Sequence, residues 1–134
     1  MADITRVASC SMDASTGMVA PQLSGDLYAA ELLPAGSPCY IKAADGKVYR
    51  SNGTAANEAA TFFGFVPRTC QINEPVSLYA LGARFKYGTG LTIGAKYFVS
   101  ATVGQLADAA STGGLVAIAR AVSTTDIQCI AIAT

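Results

Sequence analysis

Three features of the sequence predict an all-β fold, a compact sandwich or barrel of short antiparallel strands. From Leu27 onward, short apolar runs are broken by Gly, Pro, Asn or Asp about every ten residues, the spacing of strands and turns in such folds. Asp45-Gly46 is a hairpin signal, because Gly accepts the positive φ that primed turns demand. The stretch LPAGSPCYIKAADGKV (33–48) also returns in outline as LTIGAKYFVSATVGQL (91–106), as though one β unit were written twice.

The chain is 134 residues long, enough for one domain with a real core. It divides into an extended N-terminal arm, 1–25, and a β domain, 26–134. The arm mixes Ser, Thr, Asp, Gly and Ala without periodicity. It reads either as a disordered terminus or as a segment that orders along a partner through Val7, Met12, Met18, Val19 and Leu23.

Strands are expected at 27–33, 39–43, 47–50, 62–66, 76–80, 84–87, 96–100, 115–122 and 127–133, and 54–61 is expected to close no more than one helical turn. In the strand at 84–87, Arg84 and Lys86 fall on one face and Phe85 and Tyr87 on the other. The runs LVAIARAV and IQCIAIA are apolar on both faces apart from Arg120. The C-terminal hairpin should therefore lie mid-fold or in a subunit interface.

In the repeat, Leu33 corresponds to Leu91, Gly36 to Gly94, Ala43 to Ala101 and Gly46 to Gly104, all without a gap. FFGFV is loosely answered by LVAIA, and EPVSLYA by TDIQCIA. Ordinary reuse of Gly turns would explain the glycines alone. An internal duplication, two β units packed about an approximate two-fold, explains the whole pattern.

Composition and motifs argue against chemistry. Nine basic residues balance nine acidic ones, so no long-range field steers the chain to nucleic acid or to an anionic membrane. There is no His, which removes the usual proton shuttle and every Ser-His-Asp or Cys-His constellation. The carboxylates are scattered, and the glycines of GTGLTIG (88–94) miss the dinucleotide spacing.

Cys10, Cys39, Cys70 and Cys129 form no CxxC pair, so buried free thiols are expected rather than a metal site. No catalytic, cofactor-binding or metal-ligating residue is assigned, and the expectation is a protein that is not an enzyme. The N-terminus carries no export signal and no stretch matches a membrane span, which suggests synthesis in the cytoplasm. Much Ala, no Trp and few charges point to a thin core completed by neighbouring subunits.

LPAGSPCYIKAADGKVYRSNG, FFGFV, LTIGAKYFVSATVGQLADAA and LVAIARAVSTTDIQCI together resemble the small capsid decoration (cement) proteins of tailed bacteriophages, over roughly 27–133. The resemblance implies a β-rich trimer or dimer, with the trimer preferred. It would sit on the outer surface of the virion head and clamp neighbouring major capsid subunits. No catalytic residue carries over.

Capsid contacts are then expected from Val7, Met12, Met18, Val19 and Leu23 of the arm and from Arg84, Phe85, Lys86 and Tyr87. Oligomer contacts are expected from Leu115, Ile118, Arg120, Ile127 and Ile130. The alternative from another class is a head- or tail-fibre module that recognises a host-surface carbohydrate; the absence of Trp counts against it.

Overall fold

The computed structural model describes residues 3–6, 22–23 and 27–131. Its strands are β1 (Asp3–Ile4), β2 (Gln22–Leu23), β3 (Pro38–Ile41), β4 (Val48–Arg50), β5 (Gly64–Phe65), β6 (Leu78–Tyr79), β7 (Arg84–Lys86), β8 (Lys96–Val99), β9 (Leu106–Ala107), β10 (Ala119–Ala121) and β11 (Asp126–Cys129). They form two antiparallel sheets, a five-stranded one in the order β2-β6-β5-β3-β4 and a six-stranded one in the order β1-β9-β8-β10-β11-β7. The expected helical turn is a 3-10 turn at Glu58–Ala60, capped by Asn57, whose side-chain oxygen accepts from the Ala59 N–H at 3.0 Å. The C-terminal hairpin β10–β11 lies inside the larger sheet, flanked by β8 and β7, but only one of its faces is covered: Ala119, Ala121, Ile127 and Cys129 are buried, whereas Arg120 is exposed, so the expected cover on both faces is not found.

The two sheets are two copies of one unit. With β1 set aside, β7-β11-β10-β8-β9 repeats the order β2-β6-β5-β3-β4 strand for strand. The registers agree as well. Tyr40 pairs with Tyr49 and Ile41 with Val48 in the first unit, and 58 residues later Phe98 pairs with Ala107 and Val99 with Leu106. The glycines that open the two hairpins, Gly36 (φ 81°) and Gly94 (φ 87°), donate to equivalent carbonyls, those of Val66 (2.7 Å) and Ala121 (2.8 Å). The last two strands of each unit also correspond, but through shorter loops in the second unit: Gly64 matches Ala119 by register and Leu78 matches Ile127. FFGFV is therefore answered by 117–121 and EPVSLYA by 123–129, each two residues off the expected frame.

The units do not pack about a two-fold. A two-fold would bring equivalent faces together, whereas here opposite faces meet. On the first sheet Cys39, Val48 and Leu78 share one face, and their equivalents on the second sheet are Tyr97, Leu106 and Ile127. That second-sheet face is the main core, and it is covered by the reverse face of the first sheet through Phe65 and Tyr79, joined by Phe62. Phe62 meets Phe65 edge-on at 4.8 Å on the first-sheet side, and Phe65 meets Phe85 edge-on at 4.9 Å across the junction. The Cys39 face of the first sheet has its own core of Ala29, Leu33, Val66, Cys70, Val76 and Leu78, roofed by the segments 27–36 and 68–76.

The layers therefore run roof, first sheet, main core, second sheet, solvent. This is a head-to-tail stack in which each layer uses a different face.

Three local expectations change. Residues 27–33 make only isolated bridges, Tyr28 to Pro75, Ala29 to Val48 and Leu33 to Cys70, because they lie across the core as roof rather than alongside a strand. The strand expected at 115–122 is confined to 119–121, and Leu115 and Val116 stand outside it. Within 1–25, the segments Asp3–Ile4 and Gln22–Leu23 are edge strands of the protein's own two sheets, so the arm is tied down at both places. The Arg6 guanidinium extends this anchorage, donating from Nη1 to Ser37 Oγ at 2.9 Å and to the Gly104 carbonyl at 3.3 Å, 6.0 Å from the Tyr87 ring centroid.

Candidate interaction surfaces

Among the described residues, the thiols and the hairpin carboxylate Asp45 are absorbed by the fold. Cys39, Cys70 and Cys129 are buried free thiols, as expected, and Cys10 lies outside the described residues. Burial pushes the Cys129 thiol up to about 11 and raises Cys39 further, with Glu31 adding to the effect, so neither supplies thiolate near neutrality. Asp45 is spent on its own hairpin. It accepts from the Lys47 N–H at 3.0 Å and the Tyr49 hydroxyl at 2.7 Å, and these bonds hold its carboxyl below the usual value. Among the described residues, no three His, Cys, Asp or Glu side chains gather as a metal site would require.

What the fold leaves outside is two unlike surfaces on opposite sides of the stack. The solvent face of the six-stranded sheet carries Arg84, Lys86, Lys96 and Arg120, which is four of the chain's nine basic residues. Lys96, Arg120, Gln128 and Arg84 are consecutive cross-strand partners, so they form one row over β8, β10, β11 and β7. At the usual strand spacing that row is about 14 Å long. Among the described residues two acids lie on this face by register, Asp126, held by Arg84 Nε at 3.2 Å, and Asp3, which accepts from the Ser100 hydroxyl, and Asp108 lines a cavity beside Lys96.

The opposite surface is the roof, where Tyr28 (44% exposed), Leu32 (45%) and Ile72 (61%) present apolar area to solvent. Its two segments are bound together by the Asn73 N–H to the Ala29 carbonyl at 2.7 Å and by reciprocal bonds between Leu33 and Cys70 at 2.9 Å. Beside the sheets, a groove of about 420 Å³ runs between the 3-10 turn and the loop before β10, lined by Asn57, Ala60, Thr61, Thr112, Leu115 and Val116.

The residues expected at contacts divide sharply. Arg84 is exposed and Lys86 half-buried on the cationic face, but Phe85 and Tyr87 are core residues and do not form a contact surface. Tyr87 is fully buried and its hydroxyl accepts from the Leu106 N–H at 3.2 Å. The alternation of the strand was sound; what it hid was that the aromatic face is the inward one. Ile118 and Ile127 are likewise fully buried beneath the sheet and are unavailable to another subunit.

Leu115 (71% exposed) and Arg120 stay accessible and Ile130 is half-buried, though Leu115 lies at the groove while Arg120 lies in the cationic row. Leu23 is placed in β2 opposite Leu78, and Val7, Met12, Met18 and Val19 lie outside the described residues. Sequence reading assigned Lys96 and Gln128 no role. Alternation in β8 and β11 places them outward, but only cross-strand register makes them neighbours of Arg120 and Arg84.

No protein-family model and no curated protein matches the chain. Among the described residues no helix is long and apolar enough to cross a membrane.

Proposed function

We propose that the chain is a structural virion protein that binds the outside of a bacteriophage capsid, as a homo-oligomer, and cements neighbouring major capsid subunits. The observation that carries this reading is the pair of surfaces on opposite sides of the stack, a roof that exposes Tyr28, Leu32 and Ile72 at one end and the cationic sheet at the other. A clamp needs two contact areas on one rigid body, and linking two modest contacts multiplies their effect without further chemistry. The aromatic junction between the sheets supplies the rigidity, because a well-packed interior transmits load rather than yielding.

The resemblance of the sequence motifs to capsid decoration proteins supports the same reading. The test is made on particles. Heads assembled without the protein should lose their DNA at a lower temperature than complete heads, and adding the purified protein back should restore them. Equal heat resistance with and without it would sink the proposal.

A further inference from the structure

The duplication identifies what the second unit changed. In the first unit the row Pro38, Phe65, Tyr79 runs across the sheet face that meets the main core, and by register its counterparts in the second unit are Lys96, Arg120 and Gln128, with Arg84 next in the row. An outward-facing row has to be polar, but it does not have to be cationic. Lys96 and Arg120 are direct cross-strand partners on one face, an arrangement of like charges that costs stability. Among the described residues neither makes an ion pair. Nothing in the β unit itself asks for this pair.

We propose that the solvent face of the six-stranded sheet is a docking surface for an acidic stretch of another protein, whose carboxylates lie over Lys96, Arg120 and Arg84. Charge complementarity names the partner, and two further properties favour protein over nucleic acid. The chain, neutral overall, adds no net charge to extend the reach of this row, and at physiological salt the row's potential fades within a screening length of about 8 Å. It acts on a surface already in contact and gathers little polyanion from a distance. Gln128, set between Arg120 and Arg84, offers both an acceptor and a donor; a peptide surface can satisfy both, whereas a phosphate chain presents acceptors alone.

The inference rests on the decoration reading only for the identity of the partner. It is tested with probes that involve no capsid. The full chain is titrated into fluorescently labelled poly-L-glutamate and into oligo-deoxythymidine of equal charge, at low and moderate salt. The expected result is tighter binding of poly-L-glutamate, weakened about tenfold in the Lys96→Gln/Arg120→Gln double variant. A control pair, Lys42→Gln/Lys47→Gln in the β3–β4 hairpin, should bind like the parent protein. The Lys96→Gln/Arg120→Gln variant should melt no lower than the parent, since it relieves a like-charge pair.

Equal weakening by both pairs would overturn the site, because net charge alone would explain it. Tighter oligo-deoxythymidine binding would assign the face to nucleic acid and overturn the partner, and a lower melting temperature would make the cations structural. Failure of add-back on heads with poly-L-glutamate binding intact would sink the decoration reading and leave the docking face standing.

Discussion

Phe65 and Arg120 hold the same place in the two units, each in the third strand beside the opening hairpin strand, opposite Pro38 and Lys96 respectively. Phe65 is fully buried with its ring 4.9 Å from that of Phe85, while Arg120 points to solvent. One position serves as the keystone between the sheets in one copy and as outer surface in the other. Truncation should therefore act unequally: Phe65→Ala should cost about 3–5 kcal/mol, and Arg120→Ala should stay within about 0.5 kcal/mol of the parent or stabilise slightly. Denaturant unfolding of the two variants checks this, and similar losses would contradict the head-to-tail packing.

The hairpin glycines make a second matched pair. Gly46 (φ 69°) and Gly104 (φ 73°) both need the left-handed conformation, but a Cβ on Gly46 would meet nothing within 4 Å, whereas one on Gly104 would come within 2.8 Å of Arg50 Cδ. Arg50 cannot move freely, because its Nη2 is paired with Glu31 at 3.1 Å. Gly46→Ala should cost about 1 kcal/mol of backbone strain, and Gly104→Ala about 2–3 kcal/mol once displacement of Arg50 is added. Thermal melts of both variants suffice to separate them.

Tyr87→Phe should cost about 1–3 kcal/mol despite nearly unchanged volume, because the Leu106 N–H would lose its acceptor inside the core. Amide hydrogen exchange at Leu106 should quicken in the variant. Unchanged stability and exchange would mean that another acceptor takes over.

The buried thiols make stability fall in alkali. In the unfolded chain Cys129 titrates near 9.0, and in the folded protein it titrates near 11. Below pH 9 both states keep the proton and the thiol contributes its full share. Between 9 and 11 the unfolded chain sheds protons that the folded one retains, so the balance shifts toward unfolding. Cys39 and the raised hydroxyls of Tyr40 and Tyr97 act in the same direction. The melting temperature should fall as pH rises through this window, and less steeply in Cys129→Ala. An identical slope in that variant would show that the thiol is not shielded.

Leu115 tests the proposed oligomer. It is the most exposed large apolar side chain described, at the lip of the groove beside Val116. Leu115→Glu should dissociate the oligomer in sedimentation experiments while leaving the melting temperature of the protomer within about 1 kcal/mol equivalent of the parent. Ile118 was equally apolar in sequence but is fully buried, so it cannot serve as a comparable probe.

Much of the fold was legible before any coordinates, and the reason is local. Turn glycines and alternating apolar residues act within a few bonds, so the hairpins at 38–50 and 96–107, the 3-10 turn and the repeat of Gly36 and Gly46 by Gly94 and Gly104 could all be read from spacing. Which face of a strand is buried depends on what arrives from elsewhere in the chain, and that is where reading failed. Phe85, Tyr87, Ile118 and Ile127 looked like contact residues until the first sheet and its own neighbours covered them.

The sequence by itself determined two matched hairpins, Gly36 and Gly46 answered by Gly94 and Gly104, because equivalent turns need equivalent residues, while strand order and register made them two copies of one unit. The tertiary structure alone decided that the copies stack head to tail, with Phe65 closing a core and Arg120 facing water. The physical reason is that a duplicated sheet has two faces to bury but only one partner sheet. One face of the pair must end in solvent, and only long-range packing selects which.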